Sequence, residues 1–130
     1  MQKIWLSSYE EGVQPEIDVT RYRSVVDVVN YGVQQFARQE AFYNMGRALS
    51  YQEVGQLSDQ IASYLQNVLK LPRGERVAIM MPNILQYPIA VFGILKAGLV
   101  VVNTNPLYTP RELEHQLNDS GARGIVLAEN

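Results

Sequence analysis

An α/β fold is predicted for this chain: a partial, mostly parallel sheet with helices on both faces, a small β-hairpin and an amino-terminal arm. Three observations carry that prediction. Between Gly74 and Asn130 the sequence alternates short, almost wholly apolar runs with segments of helical period. Turn residues stand at each join. The strand-like runs at Arg76 to Met81 and Leu99 to Val102 lack the polar alternation of a half-exposed strand, as expected where helices cover both sides of a parallel sheet.

The first twenty or so residues show no sustained period, and Pro15 among several charges marks residues 1–22 as an arm apart from the body at 23–130. From Ser24 the pattern becomes helical: Val25, Val28, Val29, Val33 and Phe36 recur on one face. Ser24 and Asp27 can satisfy free amides at the helix start, and the helix is expected to end near Arg38. Ala41 to Tyr43 and Ala48 to Tyr51 then flank Asn44-Met45-Gly46-Arg47, where Gly46 suits the positive φ of a tight hairpin. Ser50 and Glu53 make a capping box for a second helix whose predicted apolar stripe is Val54, Leu57, Ile61, Leu65 and Val68.

Pro72, Arg73 and Gly74 separate that helix from the strand ending at Met81, and Pro82 and Asn83 close the strand. Pro88 fits the first turn of the next helix, where its missing amide hydrogen costs least, and Gly98 stops it. A helix between two buried strands is the parallel crossover. Thr109, Pro110 and Glu112 begin a further helix with a second capping box, Leu113 and Leu117 face inward, and Gly121 ends it before a third strand at Ile125 to Ala128. An uncovered third strand makes a poor domain boundary, so the expectation is a piece of a larger protein.

Composition narrows the function. The chain has 130 residues, of which 47% are hydrophobic and 18% charged, enough for a real core. Eleven basic and thirteen acidic residues, without a block of either sign, argue against nucleic acid as a partner. Cysteine is absent, which excludes thiol chemistry and fits a reducing compartment. The apolar run Ile4-Trp5-Leu6 falls short of the ~7 residues a signal-peptide core needs, and Ile89 to Leu95 falls short of the ~20 needed to span a bilayer.

The sequence offers no complete catalytic motif. Gly93 and Gly98 have phosphate-loop spacing, but Leu99 and Val100 stand where lysine and a hydroxyl residue are required. His115 lies three residues after Glu112 on nearly one helix face, which is half of a di-iron ligand set with the other half missing. No serine sits in a nucleophile elbow, and the eight tyrosines are scattered without a basic stripe. One place does have a functional argument. Ligands of open parallel sheets lie beyond the carboxyl ends of strands, which here means Pro82, Asn83, Asn103, Thr104 and Asn105. The competing explanation of the same residues is turn formation.

Four ordered blocks carry a resemblance: Leu49-Ser50-Tyr51-Gln52-Glu53, Val77-Ala78-Ile79-Met80-Met81-Pro82-Asn83, Gly93-Ile94-Leu95-Lys96-Ala97-Gly98, and Asn103-Thr104-Asn105-Pro106-Leu107-Tyr108-Thr109-Pro110-Arg111-Glu112-Leu113. Together they resemble the amino-terminal region of AMP-forming acyl-CoA ligases, most closely bacterial long-chain fatty acid:CoA ligases. The resemblance implies that residues 23–130 are the incomplete amino-terminal part of a large adenylate-forming domain. For the whole enzyme it implies ATP, Mg2+ and coenzyme A as cofactors and a long-chain fatty acid as substrate. It further implies a cytoplasmic protein, peripheral at the inner face of the membrane, and a homodimer through the amino-terminal region. The family's phosphate loop, magnesium-binding glutamate, ribose-binding aspartate and mobile-domain lysine would all fall downstream of Asn130. No catalytic, cofactor-binding or metal residue is therefore carried over, and this piece alone is expected to be inactive and without a cofactor. Two alternatives stand beside it: a self-standing nucleotide-binding module using Asn83 and Asn103, and a self-association module.

Overall fold

The computed structural model describes residues 3–128, so residues 1–2 of the expected arm and 129–130 of the expected body lie outside the described residues. A short 3-10 turn at Ile4–Ser8 opens the chain, and the arm stays on the surface to Tyr22. Tyr22 meets Tyr31 edge-on at 5.7 Å between ring centroids, and the Arg21 guanidinium lies 5.1 and 5.5 Å from those two rings.

Helix α1, Val25–Gln35, starts where Ser24 Oγ accepts the Asp27 amide at 3.1 Å. It stops short of the expected Arg38. The Ala37 and Gln39 carbonyls instead accept the Gln52 and Tyr51 amides, which joins the exit of α1 to the entry of the next helix. Strands β1, Glu40–Asn44, and β2, Arg47–Ser50, form the antiparallel hairpin. Tyr51 belongs to helix α2, Tyr51–Ser63, because Ser50 is its N-cap.

The expected stripe of α2 holds only in part. Val54 and Leu65 are buried, and Ser58 and Ala62 share the buried face, whereas Val68 is 63% exposed. The helix ends in a π turn, Tyr64–Val68, in which the Leu69 amide reaches back to the Tyr64 carbonyl. That extra residue in the turn rotates Val68 off the buried face.

Strands β3, Arg76–Met80, β4, Val100–Asn103, and β5, Gly124–Leu127, form one parallel sheet in the order β4-β3-β5. β3 starts at Arg76 as expected, every other limit differs by a residue from the sequence expectation, and Met81 and Leu99 are buried just outside their strands. Helix α3, Gln86–Lys96, joins β3 to β4, and helix α4, Pro110–Ser120, joins β4 to β5. The chain moves to one side of β3 and then back across it. With the right-handed crossovers that parallel strands adopt, α3 and α4 fall on opposite faces.

The core is built on the α3 face, where Val77, Ile79 and Met81 meet Ala90 and Ile94 of α3, Ala62 of α2 and Leu65 of the π turn. Glycines let the helices approach. A β-carbon at Gly93 would lie 2.5 Å from Ile61 Cγ2, and one at Gly55 would lie 2.8 Å from Val33 Cγ1. Lys96, with its side chain only 8% exposed, ends this packing by donating to Asp59 Oδ1 at 2.8 Å and to the Gly55 carbonyl at 3.2 Å. On the other face, register groups Ala78, Val100, Val102, Ile125 and Leu127, and Val100, Ile125 and Leu127 keep substantial exposure.

Candidate functional site

The reversal of chain direction at β3 fixes where a ligand can sit. The segment leaving β3 turns toward α3 while the segment leaving β4 turns toward α4, so the two diverge and open a crevice at the carboxyl ends of adjacent strands. The five positions chosen from sequence all lie at these strand ends: Pro82 is exposed and its carbonyl accepts the Ile84 amide at 2.8 Å, and the other four each have a distinct local role.

Asn83 is exposed, and its carbonyl accepts the Asn44 side-chain amide at 3.3 Å, which ties the hairpin to the segment after β3. Asn103 is paired with Ile79 across the ladder. Its Oδ1 accepts the Tyr87 hydroxyl at 2.7 Å and its carbonyl accepts the Gln116 amide at 2.9 Å. Thr104 is buried, and its amide donates to the Ile79 carbonyl at 2.9 Å, extending the ladder one step past β4. Its hydroxyl bonds back to the Val102 carbonyl at 3.3 Å, so its polar groups are occupied within the fold. Asn105 folds its Oδ1 onto the Leu107 amide at 3.0 Å, an Asx turn. Asn103 is thus bridged to both flanking helices, Asn83 holds the hairpin, and Thr104 and Asn105 shape the backbone.

Tyr87 and Gln116 are the residues that sequence reasoning did not single out. Both carry their information in three dimensions: Tyr87 comes from the first turn of α3 and Gln116 from the middle of α4, and only the crossovers bring them to Asn103. Gln116 Oε1 is buried without a hydrogen-bond partner, beside the carboxyl end of β4.

Two concavities border the crevice. One, of about 420 Å³, lies between the hairpin and the start of α3 and has apolar walls that include Phe42, Leu85, Pro88 and Phe92. The other, of about 710 Å³, is an open polar groove along α4 with Tyr108, Arg111, His115 and Asp119. Glu112 lines it too, yet its Oε2 accepts the Thr109 hydroxyl at 2.7 Å and the Thr109 amide at 2.8 Å. Those bonds, the hydroxyl first and the amide second, hold the Glu112 carboxyl below its ordinary range. Glu53 is lowered in the same way by the Ser50 amide and then its hydroxyl. Glu112 is a capping group, which leaves His115 without the carboxylate partner that its spacing offered. Among the described residues no group of three or more His, Cys, Asp or Glu side chains could hold a metal ion. The donor set at the crevice is amide, hydroxyl and carbonyl, which does not fit a magnesium–triphosphate group unaided.

An open parallel sheet with its strand ends at such a reversal defines a protein of the α/β class whose ligand site lies at the carboxyl ends of the strands. The comparisons are more specific. A family model described as AMP-binding enzyme matches residues 30–130, and the chain belongs to that family. It is 55% identical over all 130 residues to a long-chain-fatty-acid–CoA ligase of Escherichia coli O6:H1, and spans 23% of that relative's length. It is 34% identical over 125 residues to the ligase of the same name in Bacillus subtilis strain 168, covering 96% of this chain and 22% of that one. Among solved structures, the amino-terminal subdomain of Klebsiella oxytoca NpsA in complex with 3-hydroxyanthranilyl-AMSN superposes with a TM-score of 0.78 at 26% identity, covering 83% of this chain and 28% of the other. The anthranilate CoA ligase AuaEII in complex with anthranoyl-AMP gives 0.76 at 26% identity, covering 82% and 20%.

Proposed function

We propose that this chain is the amino-terminal part of a longer long-chain fatty acid:CoA ligase and supplies scaffold rather than reactive groups. The observation that carries the reading is identity of 55% sustained over the entire chain to a relative of that name, together with a span of only 23% of its length. In the longer protein a fatty acid carboxylate would attack the α-phosphorus of ATP and displace pyrophosphate. The coenzyme A thiol would then attack the acyl carbon, releasing AMP and a proton. Such chemistry needs positioned anions and neutralised charge. The side chains at the crevice itself offer amide, hydroxyl and carbonyl groups, and on this reading the groups that hold ATP and Mg2+ and the coenzyme A site are assigned to the remainder.

The role of residues 23–130 on this reading is to fix the strand ends against which the remainder builds the site, with Asn83, Asn103, Thr104 and Asn105 on the ligand side. Residues 1–22 form the arm. A homodimer through that arm, and a peripheral contact with the inner face of the membrane by a cytoplasmic protein, belong to the same reading. They are supported by the exposure of Ile4, Trp5, Ile17 and Val19. No helix among the described residues is long and apolar enough to cross a membrane.

The test is production of AMP and acyl-CoA from palmitate, ATP and coenzyme A. The longer protein is expected to turn over and residues 1–130 are not. Turnover by the 130 residues alone defeats the scaffold assignment, and a longer protein inert toward every fatty acid but active on another carboxylate defeats the substrate assignment. Light scattering and vesicle flotation of the longer protein test the dimer and the membrane contact.

A further inference from the structure

The hairpin tip combines strain with apolar exposure. Met45 has φ of 49° and Gly46 has φ of 79°, the left-handed pair of a two-residue turn. Glycine and asparagine accept that backbone readily, whereas a long side chain adopts it at a cost, so a methionine here needs a reason. Its side chain does not repay the strain within the described residues, because Met45 is 92% exposed, and Tyr43 beside it is 71% exposed. Asn44, between them, anchors the tip to the Asn83 carbonyl, and Tyr43 and Asn44 line the adjoining groove. The apolar groove of about 420 Å³ runs on from Tyr43 along Leu85, Pro88 and Phe92. Strained backbone, exposed apolar side chains and an adjoining groove at one place are the features of a contact surface.

We propose that Met45, Tyr43 and this groove form the docking surface for polypeptide that lies outside these 130 residues in the longer ligase. The inference rests on the reading given under Proposed function. The occupant is chosen on length: the relatives extend to roughly four times this chain, and the groove opens at the carboxyl ends of the strands, where the remainder must approach to reach the crevice. Methionine suits such a seam because its unbranched thioether fills irregular gaps.

Oxidation of methionine by dilute hydrogen peroxide, followed peptide by peptide by mass spectrometry on the longer protein, tests this directly. Buried Met81 serves as the internal standard for protection. Met45 is expected to convert to the sulfoxide about tenfold or more slowly in the native protein than in the same protein unfolded in guanidinium. Equal rates overturn the proposal. So does protection that disappears on dilution to a monomer verified by light scattering, which assigns the surface to a second copy. Protection that develops only on adding palmitate also overturns it and makes the groove an acyl site. Fatty acid:CoA ligase activity measured on the same sample separates the two levels: an active enzyme with unprotected Met45 sinks the docking surface alone, and an enzyme inactive on fatty acids sinks the reading beneath it.

Discussion

Replacement of Gly93 by alanine probes the contact on which the α2–α3 packing depends. Two effects oppose each other. Alanine is favoured over glycine inside a helix by about 1 kcal/mol, which taken alone would stabilise the protein. The added methyl would lie 2.5 Å from Ile61 Cγ2, 2.6 Å from Ile61 Cβ and 3.1 Å from the Ser58 carbonyl oxygen. Ordinary carbon contacts lie near 3.5 to 4.0 Å, so relief requires a movement on the order of 1 Å. Rotating a side chain cannot provide it, because Cβ of Ile61 and the Ser58 carbonyl are fixed to the α2 backbone. The helices must separate over the buried Ile94 and Ala90. Overpacking of this kind costs about 3 kcal/mol at the upper end of its usual range, leaving a net loss of about 2 kcal/mol. Over 130 residues that corresponds to a fall in Tm of about 7 °C. Calorimetry or urea denaturation of the 130-residue chain measures it. An unchanged or raised Tm would refute the claim that Gly93 is a close-approach residue and would mean that propensity decides.

Glu53 and Glu112 have carboxyls held below their ordinary value of 4.5 in the folded state, so their contribution is complete above that pH and is lost as the pH falls through the lowered values. The urea midpoint should therefore drop on acidification from about pH 5 to about pH 3, and less steeply in the Glu53→Gln, Glu112→Gln double variant; parallel curves would show that the caps do not titrate with folding. Asp59→Ala leaves the Lys96 ammonium buried with only the Gly55 carbonyl and should cost about 1 to 2 kcal/mol, whereas Lys96→Met removes the charge itself and should cost under about 1 kcal/mol. The reverse order in urea denaturation would contradict this account. Met45→Asn relieves the left-handed strain and should raise the stability of the 130-residue chain by about 1 kcal/mol, read as a higher urea midpoint; a lower one would mean that the methionine already makes a stabilising contact.

What the sequence alone determined was local. Ser50 with Glu53 and Thr109 with Glu112 predicted both helix starts, because a capping box closes within four residues and needs nothing distant. The apolar run at β3 predicted a buried strand, whereas the run at β4 formed a strand that stays half-buried or exposed, and the hairpin was legible in Gly46. The blocks that carry the family resemblance were legible for the same reason, as contiguous text. Tertiary structure decided whatever depends on two segments meeting. It turned Val68 outward through the π turn, stopped α1 early because α2 claims the Ala37 and Gln39 carbonyls, and put Ser58 and Ala62 in the core where Leu57 was expected. At the candidate site it brought Tyr87 and Gln116 to Asn103 and consumed Glu112 in a cap. Those pairings join residues 13 and 16 apart through helices whose placement follows from the order β4-β3-β5, and periodicity within one segment holds no information about that order.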